Sequence, residues 1–505
     1  MNGDLSVAEQ RELFRTWLRA KLGDTPIRMV ETHVSILGIG GDRVWKLKKA
    51  VRFPFVDLST RELRRLNAER EITLNRRFAP DVYLGVVPLD DGEGAVGDVV
   101  VEMRRMPDER RLTVVASHAP SDARRCIDQI ADALVRIHRR APSGAEIDRA
   151  GSAEAVLELW VRNIDEMREF GESILDTSVL GRVMSDARAY VAGRGSLFAQ
   201  RIAERRIRDG HGDLLADDVF CLDDGPRFLD CLEFDDQLRY GDVLGDIAFL
   251  AMDLERLEHR DLGARLLDRY RRTSGDSWPA SLADLYIAYR AVVRSKIACL
   301  RNAPGDRATA RSLLALASEH LTAGRVRLVL IGGSPATGKT TLARELGRRT
   351  GWKVLHSDEV RKGLAGIAPT TSAANTLDAG LYTPEWSSRT YDALLEGAGA
   401  LLARGESVIL DASWSDARRR DDASRLAEST SSAQAAFVLS TSGRVADDRA
   451  RVRASRHSDA SDASAEISGA LRARFAPWAD AVSLDATRPV GALASAVLEG
   501  VDFRV

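Results

Sequence analysis

The sequence predicts a multidomain protein in which a mixed α+β region precedes an α/β domain with a parallel sheet. Its 505 residues correspond to about three to four structural units at the usual domain size. Near residues 300–325 the pattern changes from long helical segments and a hairpin signal to apolar strands that alternate with amphipathic helices. We therefore expect a small lobe over residues 1–105, a helical lobe over 106–322 and the α/β domain over 325–505.

Charge, hydropathy and cysteine content exclude several classes of protein. The 73 basic and 75 acidic residues give a net charge of −2, which disfavours general nucleic-acid binding. No apolar run approaches the roughly 18 to 20 residues of a membrane span, and the N-terminus lacks a signal-peptide pattern, so we expect a cytoplasmic protein. The cysteines lack metal-ligand spacing and are too few for a disulfide framework, so we expect reduced thiols at Cys126, Cys221, Cys231 and Cys299.

The elements of the first half follow from periodicity and turn signals. Residues 42–47 and 98–103 have the pattern of strands, and the stretch 60–78 between them has the pattern of a helix. Residues 123–139 place apolar side chains at helical spacing, which predicts a helix with one buried face. Two apolar runs that flank the turn residues 223–226 predict a β-hairpin.

An ordered set of acidic residues surrounds this hairpin. His211-Gly212-Asp213 comes first, Asp218 follows at the start of the hairpin, and Glu233 lies after it. A catalytic loop of this type presents one carboxylate to an acceptor hydroxyl, while acidic or amide groups on the hairpin hold Mg²⁺ against nucleotide phosphates.

Residues 25–300 resemble the aminoglycoside phosphotransferase family, which has a bilobal, protein-kinase-like fold. The resemblance implies that Asp213 is the catalytic aspartate and that Asp218 and Glu233 bind metal. It also implies that Lys46 contacts the nucleotide phosphates, with Glu71 or Glu69 as its partner on a helix, and that Met103 lies in a hinge over residues 102–106.

Several assignments within this resemblance have rivals. Lys46 is one of only eight lysines among the 73 basic residues. Lys48, however, would point to the same face of the strand, and Lys49 is also near. Position 218 is Asp where the family has Asn, and position 233 is Glu where it has Asp, with Asp230 a nearby alternative. These departures leave open a degenerate domain that regulates rather than catalyses.

The second half opens on a phosphate-binding pattern. The apolar strand 327–331 runs into a sequence that matches G-x-x-x-x-G-K-[ST], and a helical segment over 342–349 follows. Glycines let backbone N–H groups surround phosphate oxygens, the lysine neutralises their charge, and the threonine hydroxyl can bind Mg²⁺. The expected ATP- or GTP-binding residues are Gly333, Ser334, Pro335, Ala336, Thr337, Gly338, Lys339, Thr340 and Thr341.

Acidic and basic residues follow the later strands of this half. Asp358 and Arg361 are three residues apart, so at a helix start they share a face and could hold a substrate hydroxyl and a phosphate. Asp411 ends the strand 408–410, where it is placed to hold the water shell of Mg²⁺. Arg453, with arginines at 449 and 456, belongs either to a lid that stabilises transferred charge or to a solvated basic helix.

Residues 325–500 resemble the P-loop kinase family that includes polynucleotide 5′-kinase, zeta toxins and chloramphenicol phosphotransferase. The matching features are the phosphate loop, Asp358-x-x-Arg361, the segment 381–385 with Tyr391, and the strand that ends at Asp411. The resemblance implies phosphoryl transfer, in which Asp358 acts on the acceptor hydroxyl.

The function predicted from the sequence is an ATP- and Mg²⁺-dependent phosphotransferase with two sites, both acting on hydroxyl groups of small molecules. One alternative is a nucleotide-binding regulatory protein with a degenerate kinase-like domain. Another is a nucleic-acid 5′-hydroxyl kinase, against which the acidic balance and the lack of an aromatic-basic stripe both count.

Overall fold

The structure is a computed structural model that describes residues 5–53, 56–90, 96–171, 173–301, 303–368, 380–442, 444–445, 448 and 475–503. Its internal contacts divide the chain into two compact units. The kinase-like unit comprises Met1–Gly151 and Arg201–Ser277, and the P-loop unit comprises Ser152–Gln200 and Trp278–Val505. The boundaries predicted at residues 105 and 322 stay predictions, because this division follows contacts rather than chain order.

A five-stranded antiparallel sheet forms the first lobe of the kinase-like unit, in the order β1-β2-β3-β7-β6. On one face, Trp45 and Leu47 of β3 pack against Phe14 and Leu18 of α1. The elements of this lobe are α1 Val7–Leu22, β1 Arg28–Glu31, β2 Ser35–Gly40, β3 Arg43–Lys48, β4 Arg52–Phe53, β5 Val56–Asp57, α2 Arg61–Asn75, β6 Tyr83–Asp90 and β7 Val96–Arg104. The predicted strand and helix patterns at 42–47, 60–78 and 98–103 correspond to β3, α2 and β7.

The second lobe of this unit is mainly helical. Helix α9 is buried from Val243 to Leu254, so it lies at the centre of the lobe. The predicted hairpin is present with a two-residue turn, since Gly225 pairs with Leu222. The elements are α3 Leu112–His118, α4 Pro120–Arg140, α5 Ala145–Arg149, β8 Ile207–Asp209, β9 Val219–Leu222, β10 Gly225–Phe228, β11 Tyr240–Asp242, α9 Val243–Arg256 and α10 Arg260–Ser274.

The P-loop unit contains a parallel sheet with strand order β13-β14-β12-β15-β16, as the alternating pattern predicted. Every residue of the central strand β12 is buried, as expected for a parallel strand that helices cover on both faces. The strands are β12 Arg327–Gly333, β13 Lys353–His356, β14 Val408–Asp411, β15 Ala433–Ser440 and β16 Val482–Asp485. The helices are α6 Ala153–Arg168, α7 Thr177–Ala192, α11 Ala280–Arg301, α12 Asp306–Ala323, α13 Lys339–Thr350, α14 Ser357–Leu364, α15 Pro384–Leu402, α16 Ala417–Ser429 and α17 Val490–Gly500. Helix α8 Gly195–Ala203 runs across the division between the units.

A helix that crosses a membrane needs about 20 consecutive, mostly apolar residues. Across the described ranges, no helix combines the length and the apolar character needed to cross a bilayer.

Two of the four cysteines are paired, which corrects the expectation of reduced thiols. Cys126 on α4 and Cys221 on β9 form a disulfide with a Cα–Cα distance of 5.9 Å, although 95 residues separate them in the sequence. Cys231 and Cys299 are free and buried. The prediction was wrong for the first pair because tertiary packing of α4 against the hairpin, which no spacing rule shows, brings the two residues together.

Reduction of this disulfide is expected to lower the free energy of unfolding by about 2–4 kcal/mol, because the long cross-linked loop regains entropy in the unfolded chain. Urea unfolding with and without dithiothreitol measures the change. A Cys126→Ser/Cys221→Ser double variant should not respond to the reductant, whereas Cys299→Ala should respond like the wild type. Titration of four thiols in the unreduced, denatured protein would contradict the pairing.

Candidate functional site

The sheet lobe of the kinase-like unit positions two lysines against one buried glutamate. Alternate residues of a strand point to the same face, so Lys46 and Lys48 of β3 both face α2 while Trp45 and Leu47 face α1. Lys46 Nζ donates to Glu71 Oε1 at 2.9 Å, and Lys48 Nζ lies 2.7 Å from Glu71 Oε2. The glutamate is fully buried, so each of its oxygens has a cationic neighbour in place of water.

Each lysine also has a second carboxylate partner, from the segment after the hairpin. Lys46 Nζ donates to Asp230 Oδ1 at 2.7 Å, and Lys48 Nζ donates to Glu233 Oε1 at 2.5 Å. The two ends of this chain of charges differ in accessibility, because the Asp230 side chain is 56% exposed whereas that of Lys48 is 2% exposed. The Lys46–Asp230 end is therefore accessible to a ligand, and the Lys48–Glu233 end is buried.

The charges at the accessible end hold one another ionised. Burial alone would lower the pKa of Lys46, but the charges of Asp230, Glu71 and Glu233 outweigh it and raise that pKa well above its ordinary value. The Lys46 ammonium in turn lowers the pKa of Asp230 to about 2. At neutral pH the site thus presents a fixed cation beside a fixed carboxylate.

The loop that carries Asp213 is held by a carboxylate on the central helix. Asp246 of α9 accepts the backbone N–H of His211 at 2.6 Å and that of Gly212 at 3.0 Å, and His138 Nε2 lies 3.4 Å away. Gly212 has a φ of 86°, which favours glycine. Two charge-assisted hydrogen bonds to one carboxylate fix the backbone immediately before Asp213, which is half-buried.

Asp218 lies close to other carboxylates. Burial, together with the charges of Asp230, Asp213 and Asp217, raises its pKa well above the ordinary value. The Asp218 carbonyl also accepts the N–H of Leu229, which places the two segments side by side. A divalent cation would relieve this repulsion, so the residues fit Mg²⁺ in chemistry and in charge.

The described protein side chains near Asp218 do not form a complete metal site by themselves, and the phosphates of a bound nucleotide would complete it. Among the described residues, no three His, Cys, Asp or Glu side chains lie close enough to hold a metal ion by themselves. Mg²⁺ is commonly held by one or two carboxylates together with phosphate oxygens of a bound substrate. The arrangement around Asp218 and Asp230 is of that incomplete kind.

The remaining sequence-predicted residues of this unit are placed as follows. Glu69 pairs with Arg65 along the exposed side of α2, so Glu71 is the residue that the fold brings to the lysines. Lys49 pairs with Glu31 at 3.0 Å, away from the lysine pair described above. Met103 is buried in β7 and packs in the core of the sheet lobe, so its side chain belongs to that core.

In the P-loop unit, the phosphate loop joins β12 to the start of α13. Gly333 has a φ of 132°, and a Cβ there would lie 2.5 Å from the Leu439 carbonyl oxygen, so only glycine fits. Gly338 has a φ of 97° and precedes helix α13, whose N-terminus has no side-chain cap among the residues that the structure describes. The first N–H groups of α13 are thus free of a capping side chain, which is the arrangement that binds phosphate. Lys339 Nζ donates to the Ser334 carbonyl at 3.0 Å within the loop.

Three residues meet at the carboxyl ends of neighbouring strands beside this loop. Thr340 Oγ1 donates to Asp411 Oδ2 at 2.6 Å, and His356 Nδ1 lies 2.9 Å from the same oxygen. Burial would raise the pKa of Asp411, but His356, the charge of Lys339 and the Thr340 hydroxyl outweigh it and lower that pKa. The structure brings together Thr340 and Asp411, the two residues of this unit that the sequence analysis assigned to Mg²⁺, and that assignment stays a prediction. It adds His356, whose only sequence signal was its position at the end of a strand.

Asp358 and Arg361 lie together on α14. Arg361 Nη1 donates to Asp358 Oδ1 at 2.6 Å, and the guanidinium lies 4.5 Å from the centre of the Tyr382 ring. The predicted shared face is therefore present, with the acid and the base paired to each other. Arg453 and the neighbouring lid candidates lie outside the described residues.

Comparisons with known proteins find a matching family model, relatives of similar length and solved structures to which parts of this chain are similar. A family model described as "AAA domain" matches residues 328–478. The uncharacterized protein Rv2004c of Mycobacterium tuberculosis H37Rv is 43% identical over 463 residues, which cover 91% of this chain and 92% of the relative. A solved structure of ADP-bound aminoglycoside phosphotransferase APH(2″)-Ib is similar at 12% identity and a TM-score of 0.35, covering 61% of this chain and 98% of that one. A gluconokinase from Sinorhizobium meliloti 1021 is similar at 17% identity and a TM-score of 0.26, covering 36% and 93%.

Fold and site together define a two-part protein, in which a kinase-like region with an antiparallel sheet precedes a P-loop nucleotide-binding domain. Identity of 43% along nearly the whole length is far above what shared architecture alone requires. The chain belongs to the family that includes Rv2004c of Mycobacterium tuberculosis.

Proposed function

We propose that this protein is an ATP- and Mg²⁺-dependent phosphotransferase with two separate sites, each of which acts on a hydroxyl group of a small molecule. The observation that carries the proposal is that each unit holds its own lysine, at least one carboxylate suited to Mg²⁺ and a further aspartate on an ordered segment. Lys46, Asp230 and Asp213 form one set. Lys339, Asp411 and Asp358 belong to the other.

In the kinase-like unit, Lys46 binds the nucleotide phosphates and Glu71 holds it in place. Asp218 and Asp230 would hold Mg²⁺, and we favour Asp230 over Glu233 because the Asp230 side chain is 56% exposed, whereas Glu233 is held by the buried Lys48. When bound, the metal neutralises charge on the phosphates. Asp213 accepts the proton of the acceptor hydroxyl, and Asp246 fixes the loop that presents it.

In the P-loop unit, the loop backbone and Lys339 bind the phosphates of ATP. Thr340 and Asp411 would hold Mg²⁺ through its water shell, and His356 orients the Asp411 carboxylate. Asp358 receives the proton of the second acceptor once Arg361 turns from it toward the phosphate. Arg361 is suited to this exchange because a guanidinium binds carboxylate and phosphate in the same bidentate way.

The acceptors we propose are small molecules rather than nucleic acids, because the net charge is −2 and phosphate-backbone binding relies on a basic surface. The proposed dependence on ATP favours the cytoplasm, where ATP is supplied, as the place of action.

The test is a screen of hydroxyl-bearing metabolites, in which full-length protein, ATP and Mg²⁺ are assayed for acceptor-dependent ADP formation. We expect Asp213→Asn to lower turnover of one group of acceptors by about 10²–10⁴-fold, and Asp358→Asn to do the same for a different group, since each removes a general base. Asp223→Asn, in the exposed hairpin turn, and Glu359→Gln, next to Asp358, are the matched controls.

The outcomes separate the alternatives. Full activity of both aspartate variants with every acceptor found would refute the proposal. Nucleotide binding at two sites without acceptor-dependent turnover would favour the regulatory protein, for which the engaged Glu233 is the supporting observation. Phosphorylation of a 5′-hydroxyl oligonucleotide included in the screen would favour the nucleic-acid kinase.

A further inference from the structure

A cavity of about 290 Å³ in the P-loop unit lies among residues that neither proposed site uses. Helices α7 and α11, the chain before β12 and the turn after α16 contribute its lining, which includes Tyr190, Arg194, Ser281 and Ser431. Its volume is at the small end of the range for ligand pockets, roughly 300–1,000 Å³. A ligand there would be no larger than a small metabolite or an inorganic ion.

Arg194 is a buried cation without an anionic partner among the described residues. Only 1% of the residue is exposed, and Nη1 donates to the carbonyl oxygens of Gly193 and Thr430. Nε has no acceptor in the part of the chain that the structure describes. Burial lowers the pKa of Arg194 to about 10, and only Tyr190 opposes that effect. The guanidinium therefore stays protonated at neutral pH and keeps a buried positive charge.

The other charged residues of the cavity cancel each other. Arg325 Nη2 donates to both oxygens of Asp186, at 3.2 and 3.3 Å. Tyr190 and Ser281 are hydroxyl neighbours, with their oxygens 3.0 Å apart, and Ser281 Oγ donates to the Gly405 carbonyl. The net charge that the cavity presents is thus that of Arg194.

We propose that this cavity is a binding site for a small oxyanion, which pairs with the Arg194 guanidinium. A buried, unpaired charge is strongly unfavourable, and a bound oxyanion would supply both the missing charge and the missing acceptor. Phosphate and short carboxylates share this chemistry, since both present paired oxygens to a guanidinium. The site goes beyond the two proposed phosphotransfer sites, because no residue of the phosphate loop or of the Asp213 loop lines it.

The test is isothermal titration calorimetry on the full chain, saturated with a non-hydrolysable ATP analogue and Mg²⁺ so that both proposed nucleotide sites are filled. Inorganic phosphate and acetate are titrated in separate arms, which distinguish the two sources of the oxyanion. We expect one of them to bind, and Arg194→Met to weaken that binding at least tenfold. Arg188→Met, at an exposed position of α7, the helix that contributes Tyr190 to the cavity, is the matched control and should bind like the wild type.

Two further variants keep the test decisive. Ala189 is exposed and lines the cavity, so Ala189→Phe should block binding without disturbing the core even if Arg194→Met fails to fold. Lys339→Ala should bind the oxyanion like the wild type, which would separate this site from the phosphate loop. Equal binding by the wild type and both cavity variants, or no binding of either oxyanion to the wild type, would overturn the proposal.

Discussion

Lys339→Ala is expected to remove nucleotide binding from the P-loop unit while the kinase-like unit keeps its own. The Lys339 ammonium lies within the phosphate loop, and its charge helps to lower the pKa of Asp411, the carboxylate that we assign to Mg²⁺. Truncating one partner of a charge-assisted contact to phosphate costs about 3–4 kcal/mol, which corresponds to a roughly 10²–10³-fold loss of affinity. Titration with a fluorescent ATP analogue should therefore show two nucleotides per wild-type chain and one per variant chain.

The control for this variant is Lys353→Ala, which removes an exposed lysine at the start of β13, the strand that ends at His356. It should bind two nucleotides. A Lys339→Ala protein that still binds two nucleotides at wild-type affinity would show that the loop is not the binding site. A wild-type protein that binds one nucleotide, with none bound by the variant, would instead show that the kinase-like unit does not bind ATP.

Those parts of the sites whose residues lie close together in the sequence could be predicted. The phosphate loop, Thr340 and the strand that ends at Asp411 follow from a motif and from the rule that parallel strands end at one edge. His211-Gly212-Asp213 and the hairpin after it were likewise readable in order. Each of these motifs lies within a few residues of the side chains to which it assigns a role.

What the sequence could not show depends on contacts between distant segments. Lys46 and Lys48 point to the same face of β3, so the sequence does not distinguish them. The fold shows that both contact Glu71, and that Lys46 also pairs with Asp230 whereas Lys48 pairs with Glu233. Asp246 lies 33 residues after Asp213 in the sequence, yet it accepts the backbone N–H of His211, just before Asp213. The Cys126–Cys221 disulfide and the Arg194 cavity were missed for the same reason.

The difference between Asp230 and Glu233 leads to the second large effect. Asp230→Asn is expected to lower turnover by the kinase-like unit about 10²–10³-fold, because it removes the exposed carboxylate that we assign to Mg²⁺. Its cost in stability should be small, at about 0–1 kcal/mol, since the lost ion pair with Lys46 is partly solvated. Acceptor-dependent ADP formation at several Mg²⁺ concentrations, in a Lys339→Ala background that silences the P-loop unit, measures the change in activity.

Glu233→Gln should show the opposite pattern and is the matched control. It leaves Lys48 buried with Glu71 as its one anionic partner among the described residues. We therefore expect the free energy of unfolding to fall by about 2–3 kcal/mol, less than for a fully broken buried pair. The dependence of its activity on Mg²⁺ should match that of the Lys339→Ala background, because Asp230, the proposed metal ligand, is still present. If Glu233→Gln lost its dependence on Mg²⁺ while Asp230→Asn kept normal activity, the metal ligand would be Glu233 and not Asp230. In that case Lys48 would have to release Glu233 whenever nucleotide binds.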